Sequence, residues 1–311
     1  MRNQVYHTWP KLPAPTDWQK SLEAIHLWSQ IIGKIKLEHM PPINHYWHVA
    51  LYVSSRGLTT SLIPHSTGGF EIEFNFIDHR LEIRKVNGKE AYFDLETMSV
   101  ADFYHKTHTV LKQLNIDIDI YPKPVELPDP IVPFPENTVQ TLYDADTIRD
   151  FWLALTNVHR VFVKFQSGFL GKASPIHFFW GAFDMAVTRF SGRPAPKHPG
   201  GIPNCPDWVM EESYSHELAS AGFWPGTGLG EAAFYSYAYP EPDGYRTADI
   251  KPQEAWYSED LGEYLLSYEA VQKAANPDEL LLQFLKSTYE AAATKGDWDK
   301  KILEIKKTDI L

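Results

Sequence analysis

The chain has one cysteine, Cys205, so an intramolecular disulfide is excluded. It also has no run of basic residues, and its formal net charge is −11. That acidity disfavours association with phosphate backbones and with anionic membranes. We therefore expect neither a nucleic-acid partner nor a membrane partner.

Long apolar stretches are absent as well. No segment approaches the roughly 18 consecutive apolar residues of a transmembrane helix. The first ten residues lack the apolar core of a signal peptide. Together with the lone cysteine, these features predict a cytosolic protein.

Several motifs of catalysis and cofactor binding are missing. The sequence contains no P-loop and no Gly-x-Ser-x-Gly elbow, and His216-Glu217 lacks the second histidine of His-Glu-x-x-His. The run Gly226–Gly230 lacks a glycine at the last fingerprint position and has no clear flanking strand and helix, so it does not predict a dinucleotide site. Cys205 has no identifiable activating histidine, which disfavours a nucleophile. The sequence thus names no cofactor and no diagnostic metal site, while its histidines keep a His-ligated metalloprotein as an alternative.

Aromatic residues, by contrast, are abundant at 14%, and they include 10 tryptophans. Because aromatic side chains bury large areas and often keep a polar group, we expect a ring-rich core or cavity.

A helix-then-strand pattern occurs twice in the chain. His45 and Pro64 recur as His177 and Pro196, both at a spacing of 132 positions (177 − 45 and 196 − 64). Self-similarity of this kind indicates repeated structural units. The sequence predicts an α+β fold of two pseudo-repeated helix–antiparallel strands–helix modules packed together, with a long insertion in the second.

Changes in composition set the module boundaries. We place the first module at 1–122, a Pro-rich connector at 123–145, and the second module at 146–311 with its insertion at 191–230. Six prolines between Tyr121 and Pro135 predict an extended connector, because proline fixes φ and removes a backbone donor.

Local patterns predict the elements inside each module. The first module should contain a helix over 17–36, a strand over 46–53, a meander over 70–93 turning at Asn87-Gly88, a helix capped by Ser99 and Asp102, and a strand over 116–120. The second should contain a helix over 147–168, strands over 176–190 and 234–239, and a helix capped by Asn276.

Four residues are candidates for acid–base catalysis. His45 and His177 occupy matched positions, and a pseudo-twofold packing of the modules would bring their imidazoles together. His216 and Glu217, in the insertion, are further candidates. The alternatives are that each matched histidine caps a strand entry and that the insertion only covers an open sheet edge.

Basic residues near the repeated strands suggest an anionic ligand, since arginine binds carboxylates and phosphates through a bidentate fork. Arg56, Arg189, Arg193, Lys34 and Lys172 form this group. An alternative for Arg189 is an ion pair with a carboxylate such as Asp184. The predicted ligand-binding residues are Arg56, Trp180, Asp184, Arg189, Arg193, Tyr214 and Trp224.

Blocks spread along the chain resemble one bacterial family that is filed as a domain of unknown function. They are Leu27–Lys34, Asn44–His48, Arg56–Thr60, Phe76–His79, Pro175–Gly181, Asp184, Thr188–Pro194, Tyr214–Glu217 and Gly222–Gly226. The resemblance covers nearly the whole chain and implies no activity and no catalytic residue.

The residues themselves favour an enzyme that acts on a small anionic, partly apolar molecule held between the modules under the insertion. A non-catalytic small-molecule-binding or interaction protein is the main alternative, and the His-ligated metalloprotein is the other. The expected partner is a small-molecule ligand.

Overall fold

The computed structural model describes residues 8–66 and 68–305. Its α-helices are α1 (Gln19–His39), α2 (Val100–Gln113), α3 (Ala145–Gln166), α4 (Asp207–Ser213), α5 (Tyr268–Lys273), α6 (Pro277–Lys295) and α7 (Lys300–Leu303). Its strands are β1 (Tyr52–Val53), β2 (Gly57–Thr59), β3 (Phe70–Asn75), β4 (Arg80–Lys85), β5 (Glu90–Asp94), β6 (His177–Phe179), β7 (Asp184–Pro194), β8 (His216–Trp224), β9 (Ala233–Tyr239), β10 (Trp256–Ser258) and β11 (Glu263–Ser267).

The first sheet is an antiparallel meander in the order β1-β2-β3-β4-β5. β4 alternates buried and partly exposed residues, as expected for a strand with one face on the core. The β4–β5 turn contains Asn87-Gly88, and Gly88 has a φ of +82°, which glycine adopts without steric cost. The predicted meander is confirmed.

The second sheet is also antiparallel, in the order β10-β11-β9-β8-β7-β6. Its interior strand β8 pairs with β7 on one side and β9 on the other. The stretch 191–230, predicted as an insertion, therefore contains a central strand of the sheet. Residues 195–215, which include α4, and residues 225–230 lie outside the strands.

Among the described residues, an isolated antiparallel bridge joins the two sheets. The backbone N–H of Leu51 donates to the carbonyl of Phe178 at 2.9 Å, and the reverse bond is 2.8 Å. Helix, antiparallel strands and helix follow one another on each side of this bridge, so the α+β prediction is confirmed. The duplication stays a prediction. The corresponding structural positions are not spaced by the 132 residues found in the sequence. The starts of α1 and α3 differ by 126 positions (145 − 19), and the two bridged residues differ by 127 (178 − 51).

Three strand predictions are wrong. The strand expected over 46–53 is confined to β1, because His45 and Tyr46 have φ values of 58° and 60°, outside the extended region. The strand expected over 176–190 is a hairpin, β6 and β7, that turns before Asp184. Residues 116–120 form no strand. His45 therefore lies in a turn, whereas His177 begins a strand.

Helix ends follow local sequence signals more closely. The Ser99 side chain accepts the N–H of Asp102, and the Asp102 carboxylate accepts the N–H of Ser99, which completes the predicted capping box. The Asn276 side chain accepts the N–H of Glu279 at the start of α6.

α1 packs on α2 through Trp28 and Phe103, whose rings stack at 4.7 Å between centroids. In the described part of the chain, no helix combines the length and apolar character needed to cross a membrane.

Candidate functional site

A cavity of about 890 Å³ opens where α1, the Pro-rich connector, the β6–β9 strands and the segment around α4 come together. This volume lies within the range of small-molecule sites. Its walls are rich in aromatic rings, contributed by Tyr46, Trp47, Tyr121, Phe179, Trp180, Phe190, Trp208, Tyr214, Tyr235 and Tyr237. The cavity takes residues from both halves of the chain.

Glu126 reaches the cavity wall from the connector. Its φ of 58° is unusual for a non-glycine residue and costs on the order of 1 kcal/mol. The fully buried side chain of Gln30, on α1, holds the preceding residue on both sides. Gln30 Nε2 donates to the carbonyl of Val125 at 2.9 Å, and Gln30 Oε1 accepts the N–H of Val125 at 2.9 Å. These two bonds hold Glu126 in its strained conformation.

Gly181 makes room for the Glu126 carboxylate. A Cβ at position 181 would lie 2.0 Å from Glu126 Oε1, so only glycine permits this approach. The carbonyl of Gly181 accepts a hydrogen bond from His26 Nε2 at 2.8 Å. Burial lowers the pKa of His26 to about 4, so this imidazole is neutral at physiological pH and acts as a positioning group.

A second carboxyl group, Asp184, lies at the start of β7 and is 8% exposed. The hydroxyl of Tyr235 donates to its Oδ2. Nearby, the hydroxyls of Tyr214 and Tyr237 are hydrogen-bonded at 2.7 Å. One phenol thus bonds to this carboxylate, and two further phenols are paired in the same cavity wall.

Burial raises the pKa of both carboxyl groups. It raises the pKa of Asp184 to about 6, although the bond from Tyr235 favours the ionised form. Burial, together with the charge of Asp184, raises the pKa of Glu126 to about 7. Among the described residues, no lysine, arginine or histidine nitrogen lies within 4.0 Å of either carboxylate. Neither acid is therefore neutralised by an ion pair.

His45 lies in the cavity wall, but its ring is engaged on both sides. Nδ1 is 3.1 Å from the carbonyl of Ser213, and Nε2 is 2.6 Å from Nζ of Lys172. Because a carbonyl can only accept, the neutral ring donates from Nδ1 and accepts the lysine proton at Nε2. Burial lowers the pKa of His45, in keeping with that neutral form.

His177 and His216 do not line the cavity. His177 is fully buried, and neither ring nitrogen has a hydrogen-bond partner within the described residues. Burial lowers its pKa to about 3, so it is neutral. His45 and His177 each contact the ring of Trp47, at centroid distances of 5.1 Å and 5.9 Å. The His216 ring lies edge-on to that of His45 at 5.7 Å.

The three predicted arginines all lie away from the cavity. Arg56 pairs with Asp78 at an exposed site. Arg193 pairs with Glu217 at 2.7 Å and donates to the carbonyl of Asp297, beyond the end of α6. Glu217 is thus a structural ion-pair partner outside the cavity wall.

Arg189 is buried between β7 and the helices. Its guanidinium lies 3.6 Å from the ring centroid of Phe165 and 4.3 Å from that of Tyr289. Thr188 and Phe190 line the cavity, so strand alternation sends Arg189 to the opposite face. Asp184 is an odd number of positions away, which explains why the alternative ion pair with Arg189 is absent from the described contacts.

The structure places Trp180, Asp184 and Tyr214 in the cavity wall. Trp224 is not among the lining residues, although its ring is 6.0 Å from that of Tyr235. Sequence reasoning missed Glu126, Tyr235 and Tyr237. The one available signal for Glu126 was an acidic residue flanked by Pro124 and Pro128 in a segment that otherwise reads as a linker. Within the described ranges, no three histidine, cysteine, aspartate or glutamate side chains are arranged to hold a metal ion.

Gly33, inside α1, sets the position of Trp180. A Cβ at position 33 would lie 2.2 Å from Trp180 Nε1, which donates to the carbonyl of Val49 at 2.8 Å. Gly33→Ala should therefore destabilise the protein by about 1–3 kcal/mol through overpacking, despite the better helix propensity of alanine. Urea unfolding followed by circular dichroism measures this, with Gly168→Ala as control because its Cβ would meet nothing nearer than 3.9 Å. Equal stability of the two variants would contradict the packing role of Gly33.

Comparison with known proteins gives a family and no activity. No curated protein and no solved structure matches the chain. A family model described as "Family of unknown function (DUF5996)" matches residues 9–305, nearly the full length. The chain therefore belongs to the DUF5996 family.

Proposed function

We propose that this protein is an enzyme acting on a small molecule bound in the cavity, with Glu126 and Asp184 as its acid–base groups. One observation supports this most strongly: two carboxyl side chains without a basic partner among the described residues share the wall of an aromatic cavity of about 890 Å³. Unpaired carboxyl groups that are wholly or partly removed from water are costly to stability, so their presence in one cavity favours a functional role.

The two acids are suited to different protonation states. With a pKa of about 7, Glu126 exists in both forms near neutral pH and can donate or accept a proton. Asp184, whose pKa burial raises to about 6, accepts a hydrogen bond from Tyr235, and this bond favours its ionised form. Environments that separate the pKa values of two neighbouring acids are typical of acid–base pairs.

The cavity favours a partly apolar substrate. Aromatic rings form most of its named wall, and the arginines that suggested an anionic ligand lie elsewhere. Lys34 is the one predicted basic residue among the lining residues, apart from the histidines. The lone cysteine supports a cytosolic location.

Turnover of a metabolite extract, followed by mass spectrometry, tests the proposal. We expect the wild type to consume at least one compound and the isosteric double variant Glu126→Gln/Asp184→Asn to lose that activity by about 100-fold or more, because both proton-transfer groups are removed. Glu90→Gln, at an exposed position of β5, is the control and should retain full activity.

Two results would contradict the proposal. One is equal turnover by the wild type and the double variant. The other is retention of a compound by the cavity without any turnover, which would favour a binding protein. The variant Ala182→Trp distinguishes cavity binding from surface binding, since exposed Ala182 lines the cavity and a large ring there would occupy it.

A further inference from the structure

Lys34 is a buried lysine on the cavity side of α1. Its side chain is 5% exposed and lines the cavity. Nζ lies 5.3 Å from the ring centroid of Tyr121 and 6.0 Å from that of Trp180. Within residues 8–66 and 68–305, Nζ has no hydrogen-bond acceptor and no carboxylate within 4.0 Å. The ring contacts stabilise the ammonium only in part, so burial without an ion-pair partner leaves a larger share of this amine neutral than of an exposed lysine.

Lys36, two positions along the same helix, provides an internal comparison. Its Nζ donates to the carbonyl of Ala50 at 2.5 Å and lies 4.6 Å from the ring centroid of Tyr52. Burial lowers the pKa of both lysines to about 8. Lys36, however, is absent from the cavity wall. The two lysines therefore differ in access to the cavity and in hydrogen bonding, while burial affects their protonation alike.

We propose that Lys34 forms an imine with a carbonyl compound bound in the cavity. A neutral amine facing an apolar, ring-lined space is the arrangement that lysine nucleophiles require. The aromatic walls select an aldehyde or ketone with an apolar or aromatic body. This inference names a substrate class for the proposed function and rests on the same cavity.

The reaction is balanced without an oxidant or reductant. The lone pair of Nζ attacks the carbonyl carbon, and one N–H proton passes to the carbonyl oxygen to give a carbinolamine. The C–O bond then breaks and the second nitrogen-bound proton leaves with the oxygen, so that one water is released and a C=N bond forms. Protonation of the imine makes the attached carbon centre electron-poor, which is the chemical use of such an adduct.

Reductive trapping tests the imine. Folded protein is incubated with benzaldehyde and sodium cyanoborohydride at pH 8, and the benzylated lysines are mapped by proteolysis and mass spectrometry. We expect Lys34 to be labelled about tenfold or more faster than Lys36 and than exposed Lys20, because Lys34 combines a neutral amine with access to the cavity. Unfolding in urea should remove this preference.

Two variants complete the experiment. Lys34→Met, which replaces the unpartnered charge with an apolar side chain of similar length, should abolish the preferred label, whereas Lys36→Met should leave it in place. Labelling spread evenly over the three lysines, or absent from Lys34 in folded protein, overturns the proposal. Trapping requires no turnover, so its failure is distinguishable from failure of the acid–base roles of Glu126 and Asp184.

Discussion

Replacing Glu126 by glutamine is expected to stabilise the protein by roughly 2–3 kcal/mol at pH 8 and by almost nothing at pH 4. Burial and the charge of Asp184 raise the pKa of Glu126 to about 7. A free glutamate titrates near 4.3. Between these values the folded protein binds more protons than the unfolded chain, so its free energy of unfolding falls as pH rises through this window.

The variant removes that dependence. At pH 8 the wild type carries a partly exposed carboxylate at the cavity wall, without a basic partner among the described residues, whereas glutamine at position 126 is neutral. At pH 4 the glutamate is protonated in the folded protein and mostly protonated in the unfolded chain, so the two proteins should be almost equally stable.

Urea unfolding of wild type and Glu126→Gln at several pH values measures this difference. Glu90→Gln, at an exposed position, serves as the matched control and should change stability by less than about 0.5 kcal/mol at every pH. A Glu126→Gln variant that is less stable than the wild type at pH 8 would show that the carboxylate has a stabilising partner in the folded protein.

Replacing Arg189 by alanine is expected to cost about 3 kcal/mol of stability, although the residue lies outside the cavity wall. The side chain is 4% exposed and fills the space between Phe165, Phe169 and Tyr289, with ring-centroid distances of 3.6, 4.9 and 4.3 Å from its guanidinium carbon. Alanine would leave a cavity and remove these ring contacts.

Methionine at position 189 should behave differently. Arg189 Nε has no hydrogen-bond partner in the described structure, and burial lowers the pKa of the guanidinium to about 10. Replacing an incompletely satisfied buried charge by an apolar side chain of similar size is often neutral or stabilising. Arg189→Met should therefore stay within about 1 kcal/mol of the wild type or exceed it.

Chemical denaturation separates these outcomes. Arg80→Ala, at a half-exposed site where Arg80 pairs with Asp94 at 3.2 Å, should cost less than about 1 kcal/mol and is the surface control. Both Arg189 variants should keep full turnover of any substrate found for the wild type, as long as they are folded. A specific loss of ligand binding in Arg189→Met would restore the sequence-based interpretation of Arg189 as an anion-binding residue.

The parts of the fold that were predictable depend on neighbours along the chain. The β3–β5 meander followed from polar–apolar alternation and from Asn87-Gly88. The helices α2 and α6 begin at the caps that Ser99 and Asn276 predicted. Each of these signals acts over a few residues, so it survives without knowledge of the rest of the structure.

The wrong predictions involve positions where the tertiary structure overrides local pattern. Residues 46–53 have the composition of a strand. A turn with positive φ at His45 and Tyr46 begins this segment instead, and only β1 at its end is extended. The interior strand β8 was not predicted, because it lies in the Gly- and Pro-rich 191–230 segment and is stabilised by pairing with β7 and β9. Pairing partners distant in sequence leave no local signal.

The sequence by itself determined the α+β class, the ring-rich composition, the meander and the helix starts, because these follow from periodicity, propensity and capping. Only the tertiary structure decided which ionisable groups share the cavity. Alternation along β7 places Arg189 on the face opposite the cavity. Gln30 is hydrogen-bonded to Val125, 95 positions away in the proline-rich connector, and the next residue, Glu126, lines the cavity. Burial of a side chain and the charges around it depend on contacts between remote segments, so the acid pair emerged only once the chain was folded.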